Sequence, residues 1–171
     1  MIIIETNRLV LRPHSIADFA SYAQLWATMA PEPPGTPLRS REETWARLLR
    51  FVGHWSVFGF GPFMVVDRAT NSVIGEVGFA HFHRGNGASF DGFPEAMWMI
   101  DRPFHGKGFA AEAVQAAIKW FDSEQFAKRT VCMIRPENIP SLKIAELFDF
   151  HPFTRSTYRG DPILLLERLR E

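Results

Sequence analysis

Two glycines flanking a lysine, just ahead of a helical run, carry the most legible chemistry in the sequence. Glu95, Ala96, Met97, Trp98, Met99 and Ile100 read as an apolar strand, which passes through Arg102, Pro103, Phe104 and His105 into Gly106, Lys107 and Gly108 before a helix begins. Glycines at a helix mouth let the backbone approach a ligand closely and turn several unpaired N–H groups toward it. The helix dipole adds partial positive charge there, so a phosphate or pyrophosphate is the natural occupant. A P-loop fails on spacing: no Ser or Thr follows Gly106 and Lys107, and no glycine precedes them at the required distance. Gly106, Gly108 and Ala111 do satisfy the G-x-G-x-x-A form of the dinucleotide fingerprint. That fold also wants an acid at the end of the next strand, which here ends at Arg135, and βαβ units where this chain shows hairpins.

Other reactive side chains offer less. Cys132 lies in the apolar run of Thr130, Val131, Met133 and Ile134 with no adjacent base, and reads as a small core residue rather than a nucleophile. As the only cysteine it excludes an intramolecular disulfide and any multi-cysteine metal site, which favours a reducing compartment. His81 and His83 share one face of a strand without an evident third ligand, so they read as solvent-facing or substrate-lining and no metal is expected.

The elements that must position these residues follow from periodicity. Alternation over 2–12 predicts a first strand, bent near Thr6 and Asn7 and ended by Pro13. Ser15 and Asp18 start a helix with Phe19, Tyr22, Ala23 and Trp26 on one face. Ser40 and Glu43 make a capping box for a second helix bearing Trp45, Leu48, Leu49 and Val52. Between the two, the prolines and glycine of 31–37 make a loop. Strands at 63–66 and 73–82 are joined by a turn-rich spacer, and a polar, glycine-rich stretch over 84–92 leads to the strand at 95–100. Phe109, Ala110, Ala113, Val114, Ala117, Ile118 and Phe121 then repeat at helical spacing, the longest helix signal in the chain. A strand at 130–134, a short helix at 141–148 and closing strands at 153–158 and 163–169 complete the pattern. With no internal repeat or long linker, residues 1–171 read as a single mixed α/β domain.

The run 95–113 resembles the acetyl-CoA motif of the GNAT acetyltransferase superfamily, especially the ribosomal-protein N-terminal acetyltransferases of the RimJ/RimL type. Further segments agree in order: Glu5, Thr6, Asn7, Arg8, Leu9, Val10, Leu11 and Arg12 resemble the opening strand, 73–78 the third strand, and 136–141 the Asn-x-x-Ser segment. The resemblance implies a mixed, mostly antiparallel sheet of roughly six to seven strands flanked by about four helices, with a splayed central gap for the coenzyme. It also implies an N-acetyltransferase that moves an acetyl group from acetyl-CoA to a primary amine, a protein N-terminus or a small-molecule amine, by direct attack in a ternary complex.

By the same resemblance, the backbone around His105, Gly106, Lys107, Gly108, Phe109 and Ala110 cradles the pyrophosphate, while Met99 and Ile100 pair with the pantetheine arm and supply the oxyanion N–H. Asn138 and Ser141 match coenzyme-facing positions, although both residue types also suit the start of a helix. An ammonium has no lone pair with which to attack a thioester, so a base is required. Glu95 matches the family's acidic position at the head of the motif strand, with Glu76 and His81 in reserve, and Ser141 is a candidate acid for the departing thiolate. Three positions depart from the pattern. Pro103 removes one phosphate-facing N–H, for which Arg102 is expected to compensate; Ala145 stands where many relatives carry an acidic tyrosine; and Asp149 replaces the usual glycine before Phe150.

Composition narrows the partners. Lys plus Arg equals Asp plus Glu at 19 each, so no bulk positive charge draws the chain to nucleic acid or an anionic membrane. The apolar N-terminal run stops at Glu5, too short for a signal peptide or a membrane span, and the cytoplasm is the expected location. The expected partners are acetyl-CoA and an amine acceptor, with the chain as a monomer or homodimer. Loops 31–37 and 84–92 are expected to frame the acceptor's entrance. Two other readings stay open: a coenzyme-A-binding sensor that has lost catalysis, suggested by Ala145 and Pro103, and a nucleotide-dependent oxidoreductase.

Overall fold

The N-terminal alternation folds as two strands, β1 (Ile4–Glu5) and β2 (Leu9–Pro13), which pair antiparallel with Ile4 opposite Leu11. The break falls at the expected bend, where the Thr6 N–H donates to the Leu9 carbonyl and the Leu9 N–H to Thr6 Oγ1, both at 2.9 Å. This computed structural model describes residues 2–29 and 38–170, so the loop expected at 31–37 lies outside the described residues.

Helix α1 (Phe19–Thr28) follows a short 3-10 turn opened by the Ser15 and Asp18 capping box. Helix α2 (Arg41–Phe58) begins with the expected reciprocal pair: Ser40 Oγ accepts the Glu43 N–H at 3.1 Å and Glu43 Oε2 accepts the Ser40 N–H at 2.7 Å. Gly59, at φ 73°, ends it in the left-handed conformation. Strands β3 (Pro62–Asp67) and β4 (Ser72–Ala80) then extend the antiparallel ladder from β2.

After α3 (Ala88–Asp91), strand β5 (Glu95–Ile100) leads to α4 (Phe109–Ser123), β6 (Arg129–Ile134), α5 (Ile139–Leu147), β7 (His151–Tyr158) and β8 (Asp161–Leu169). The sheet runs β1-β2-β3-β4-β5-β6-β8-β7. Glu95 pairs with Val131 in a parallel register, while β6 with β8 and β7 with β8 are antiparallel. The described residues thus hold eight strands and five α-helices in a mixed α/β fold. The counts exceed the sequence expectation for two physical reasons. The opening strand divides at Thr6, and the polar stretch 84–92 contains α3, entered through Gly87 at φ 90° and anchored by buried Phe90.

The chain divides into two compact units, Met1–Gly78 with Trp98–Ala117, and Phe79–Met97 with Ile118–Glu171. In the first, Tyr22, Leu48, Met64 and Val66 form an apolar core against which Val10, Phe19, Trp26, Trp45 and Val73 pack. In the second, Phe90, Val131, Ile163 and Leu165 do the same, flanked by Phe93, Met133, Phe153 and Tyr158. Among the described residues, no helix is long and apolar enough to cross a membrane.

Candidate active site

In the first unit, the end of β5 and the turn after it are held largely by backbone contacts. The Asp101 N–H donates to the Ile74 carbonyl at 2.7 Å. A Cβ at Gly75 would lie 2.0 Å from the Met99 carbonyl oxygen, so only glycine lets Met99 and Ile100 run this close to β4. Asp101 Oδ1 then accepts the Arg102 N–H at 2.8 Å and opens a 3-10 turn, Arg102–Phe104. Pro103 stands in the first helical positions of that turn, where an N–H would have no helical partner in any case.

His105 Nε2 lies 2.7 Å from the Ile100 carbonyl; a carbonyl only accepts, so this nitrogen carries the proton. Gly106 and Gly108 are both left-handed, at φ 70° and 79°, and the space that a Cβ at Gly106 would fill is open. The Glu112 N–H bonds the Gly108 carbonyl at 3.1 Å, and the N–H groups before it are those that a helix leaves unpaired. Lys107 Nζ folds back onto the Pro103 carbonyl at 2.8 Å. A left-handed glycine cradle at the N-terminus of a 15-residue helix fits a phosphate group.

Arg8 ties this turn to the N-terminal bend. Its Nη1 donates to the Lys107 carbonyl at 2.7 Å, its Nε to Glu112 Oε2 at 2.6 Å, and its guanidinium lies 4.2 Å over the Phe109 ring. Glu112 Oε1 also accepts Thr6 Oγ1 at 2.6 Å and the Arg8 N–H at 3.0 Å. Burial opposes the Glu112 charge, but the hydrogen bonds from Thr6 and Arg8 outweigh it and hold this carboxyl below its ordinary value.

In the second unit, Glu95 opens β5 and is 4% exposed. Arg84 Nε donates to both of its oxygens, at 2.9 and 2.7 Å. Arg84 is itself held: its guanidinium lies 4.5 Å over Phe82, its Nη1 is 3.5 Å from the Tyr158 hydroxyl, and Asp91 of α3 accepts the N–H groups of Arg84 and Gly85. Burial raises the Glu95 pKa and Arg84 only partly offsets it, so this carboxylate takes a proton more readily than an ordinary glutamate. Cys132 is fully buried, and burial with the nearby Glu95 charge drives its pKa well up, which keeps the sulfur as a thiol.

Asn138 caps α5, its Oδ1 accepting the Ser141 N–H at 3.2 Å, with Pro140 in the first turn. Ala145 is fully buried. Asp149 adopts the left-handed conformation that glycine usually supplies, at φ 61°, and the Phe150 N–H reaches back to the Ala145 carbonyl at 2.9 Å. The His81 and His83 rings lie 6.2 Å apart and near parallel, and among the described residues no third His, Cys, Asp or Glu joins them.

Glu76, the reserve carboxylate, sits in the first unit and is wholly buried. Its Oε1 accepts from the Tyr22 hydroxyl and faces His14 Nε2 at 3.0 Å; its Oε2 accepts from Arg47 Nη2 at 2.6 Å and Nε at 3.2 Å. Burial alone would raise its pKa, but Arg47 and His14 outweigh it and hold the group at about 2. A carboxylate so saturated with donors is a poor proton acceptor.

The family profile described as the acetyltransferase (GNAT) domain matches residues 8–151. The chain belongs to the GNAT acetyltransferase family. It is 28% identical over 153 residues to the uncharacterized N-acetyltransferase p20 of Bacillus licheniformis, covering 85% of this chain and 80% of that one. A solved GnaT-family acetyltransferase structure from Bordetella pertussis superposes with a TM-score of 0.91 at 32% identity, over 98% of this chain and 99% of that one. A RimL ribosomal-protein alpha-N-acetyltransferase in complex with coenzyme A has a TM-score of 0.74 at 19% identity, covering 99% of this chain and 98% of that one. GNAT enzymes use acetyl-CoA, and this chain is an acetyl-CoA-dependent acyltransferase of that family.

The residues singled out in the sequence divide between the units. Met99, Ile100, His105, Gly106, Lys107, Gly108, Phe109 and Ala110 belong to the first, and Glu95, Asn138 and Ser141 to the second. Within the first, His105 is joined to Ile100; within the second, Asn138 is joined to Ser141, whereas Glu95 bonds to Arg84. Sequence reasoning missed Arg84, Tyr158 and Glu112. A lone arginine in a glycine-rich loop carries no local sign of a partner eleven residues on.

Proposed function

We propose that the protein transfers an acetyl group from acetyl-CoA directly to a primary amine, with Glu95 as the base and a protein N-terminal amine as the acceptor class. The observation that carries this reading is Glu95 itself, a buried carboxylate with raised proton affinity at the head of the motif strand, while the only cysteine is held as a thiol. The neutral amine attacks the thioester carbonyl, the C–N bond forms as the C–S bond breaks, and the amine's proton passes to Glu95. The thiolate takes a proton from Ser141 or water. The Met99 and Ile100 backbone would stabilise the oxyanion, and the turn with Gly106 and Gly108 would hold the phosphates of the donor. The fold shared with a RimL alpha-N-protein acetyltransferase supports the acceptor class. On this reading residues 1–171 work as one GNAT domain in the cytoplasm, as a monomer or homodimer.

The test joins binding to turnover. Acetyl-CoA should raise the melting temperature while NAD and ATP do not, and a panel of N-terminal peptides and small amines should release thiol with intersecting double-reciprocal lines. Gly108→Val should weaken acetyl-CoA binding, because its left-handed φ of 79° strains a branched residue and its Cβ would lie 3.4 Å from Arg8 Nη2. Acetyl-CoA binding without thiol release to any amine would instead establish a sensor. Parallel lines together with an isolated acetyl-enzyme would replace direct attack by a covalent route.

A further inference from the structure

Arg8 reaches the glycine turn from the N-terminal bend and holds it by a carbonyl. Its Nη1 donates to the Lys107 carbonyl at 2.7 Å, while its Nε and Nη2 each lie 2.6 Å from Glu112 Oε2. A trans peptide is planar, with its C=O and N–H pointing to opposite sides. The Lys107 carbonyl and the Gly108 N–H share one such plane, so the Arg8 bond on one side turns the Gly108 N–H to the other. Gly108 stands directly before α4 and its carbonyl accepts the Glu112 N–H at 3.1 Å. Its own N–H therefore heads the group that the helix leaves without partners.

That peptide needs holding. Gly108, at φ 79°, has no Cβ to fix its conformation, and rotation at this glycine swings the peptide plane before it. Helix electrostatics do not explain the arginine, because a cation beside a helix N-terminus is opposed by the dipole. Glu112 neutralises Arg8 there, the pair adds no net charge to the turn, and what the turn gains is orientation. The pair is braced from the sheet side. Glu112 Oε1 accepts from Thr6 Oγ1 at 2.6 Å and from the Arg8 N–H at 3.0 Å. Arg68, in the turn after β3, donates its N–H to the Arg8 carbonyl at 2.9 Å and its Nη1 to the Thr6 carbonyl at 2.6 Å.

We propose that Arg8 is a positioning residue for the acetyl donor: it holds the peptide between Lys107 and Gly108 with the N–H toward the donor's phosphates, and Glu112 and Thr6 hold Arg8. The proposal rests on the placement of those phosphates at this turn, proposed above. Arg8 acts through the backbone, since its charge is already met by Glu112.

Calorimetric titration with acetyl-CoA, in the absence of any amine, tests this without turnover. Arg8→Met should weaken binding by about 10- to 100-fold, and Arg8→Lys, which keeps a donor but not the fork, should restore part of it. Glu112→Gln gives the sharper answer. Removing a negative charge beside an anion site tightens binding on charge alone, whereas loosening the group that holds Arg8 should weaken it. The double variant should bind no more weakly than Arg8→Met, because both changes break one chain of contacts. In the ligand-free protein the Gly108 amide resonance should move in both single variants. Melting temperatures well above that of the titration would show that the variants fold, and if Arg8→Met does not, Glu112→Gln decides. Full affinity in Arg8→Met, unchanged or tighter binding in Glu112→Gln, or losses that multiply in the double variant would overturn the proposal. Gly108→Val judges the placement of the phosphates by itself. Full affinity there would sink that reading and the proposal with it, whereas weakened binding there beside full affinity in Arg8→Met would sink the Arg8 proposal alone.

Discussion

Glu76 in the first unit and Glu95 in the second are both buried strand carboxylates paired with an arginine, yet their surroundings drive them apart. Glu76 accepts from Tyr22 and Arg47 and faces His14, so opposite charge and donors overcome burial and keep it ionised down to about pH 2. Glu95 has Arg84 as its donor, with Asp91 adding like charge, and burial prevails. The difference shows that number of donors, rather than burial, separates a locked structural anion from one able to take up a proton.

Replacing each carboxylate by its amide should therefore break different things. Glu95→Gln should lower kcat by roughly 10²–10⁴-fold with acetyl-CoA affinity nearly unchanged, and part of the loss should return at high pH, where more of the amine is already neutral. Wild-type turnover in this variant would take Glu95 out of the mechanism.

Glu76→Gln should instead cost stability, on the order of 3–5 kcal/mol in urea unfolding, because Arg47 loses its buried counter-charge. The pH dependence has the matching sign. The Glu76 pKa of about 2 lies below its ordinary 4.5, so its contribution is present above pH 4.5 and is lost as pH falls toward 2. The Glu95 pKa lies above 4.5, so its contribution runs the other way and falls as pH rises from 4.5 through the raised value. Glu76→Gln should flatten the acid limb of the wild-type stability curve. A stable but inactive Glu76→Gln would exchange the two roles.

The smallest effect is expected from Arg84→Met. Glu95 would lose its neutralising partner, so the acidic limb of the rate profile should move up by about one pH unit or more. An unmoved limb would mean that Arg84 does not tune this carboxylate.

Much of this protein was legible locally. The Ser40 and Glu43 box, the β5 run, and the glycines at 106 and 108 each rest on capping, alternation or backbone freedom, which act over a few residues. Local rules also explain the misses. Helix α3 is a four-residue turn between glycines, held by the burial of Phe90 and by Asp91 reaching back to Arg84 and Gly85, which no periodicity reveals. Asp149 keeps the turn that its missing glycine put in question, because Asp is among the residues that enter the left-handed region at modest cost.

By itself the sequence determined the mixed α/β class, the glycine turn ahead of α4, and Glu95 and Glu76 as the carboxylates to weigh. Only the tertiary structure gave those two their opposite surroundings. His14 and Tyr22 reach Glu76 from 62 and 54 residues away, and Arg84 reaches Glu95 across α3. A carboxylate's proton affinity depends on burial and on charges within a few ångströms, and the fold, not the spacing along the chain, brings those charges near.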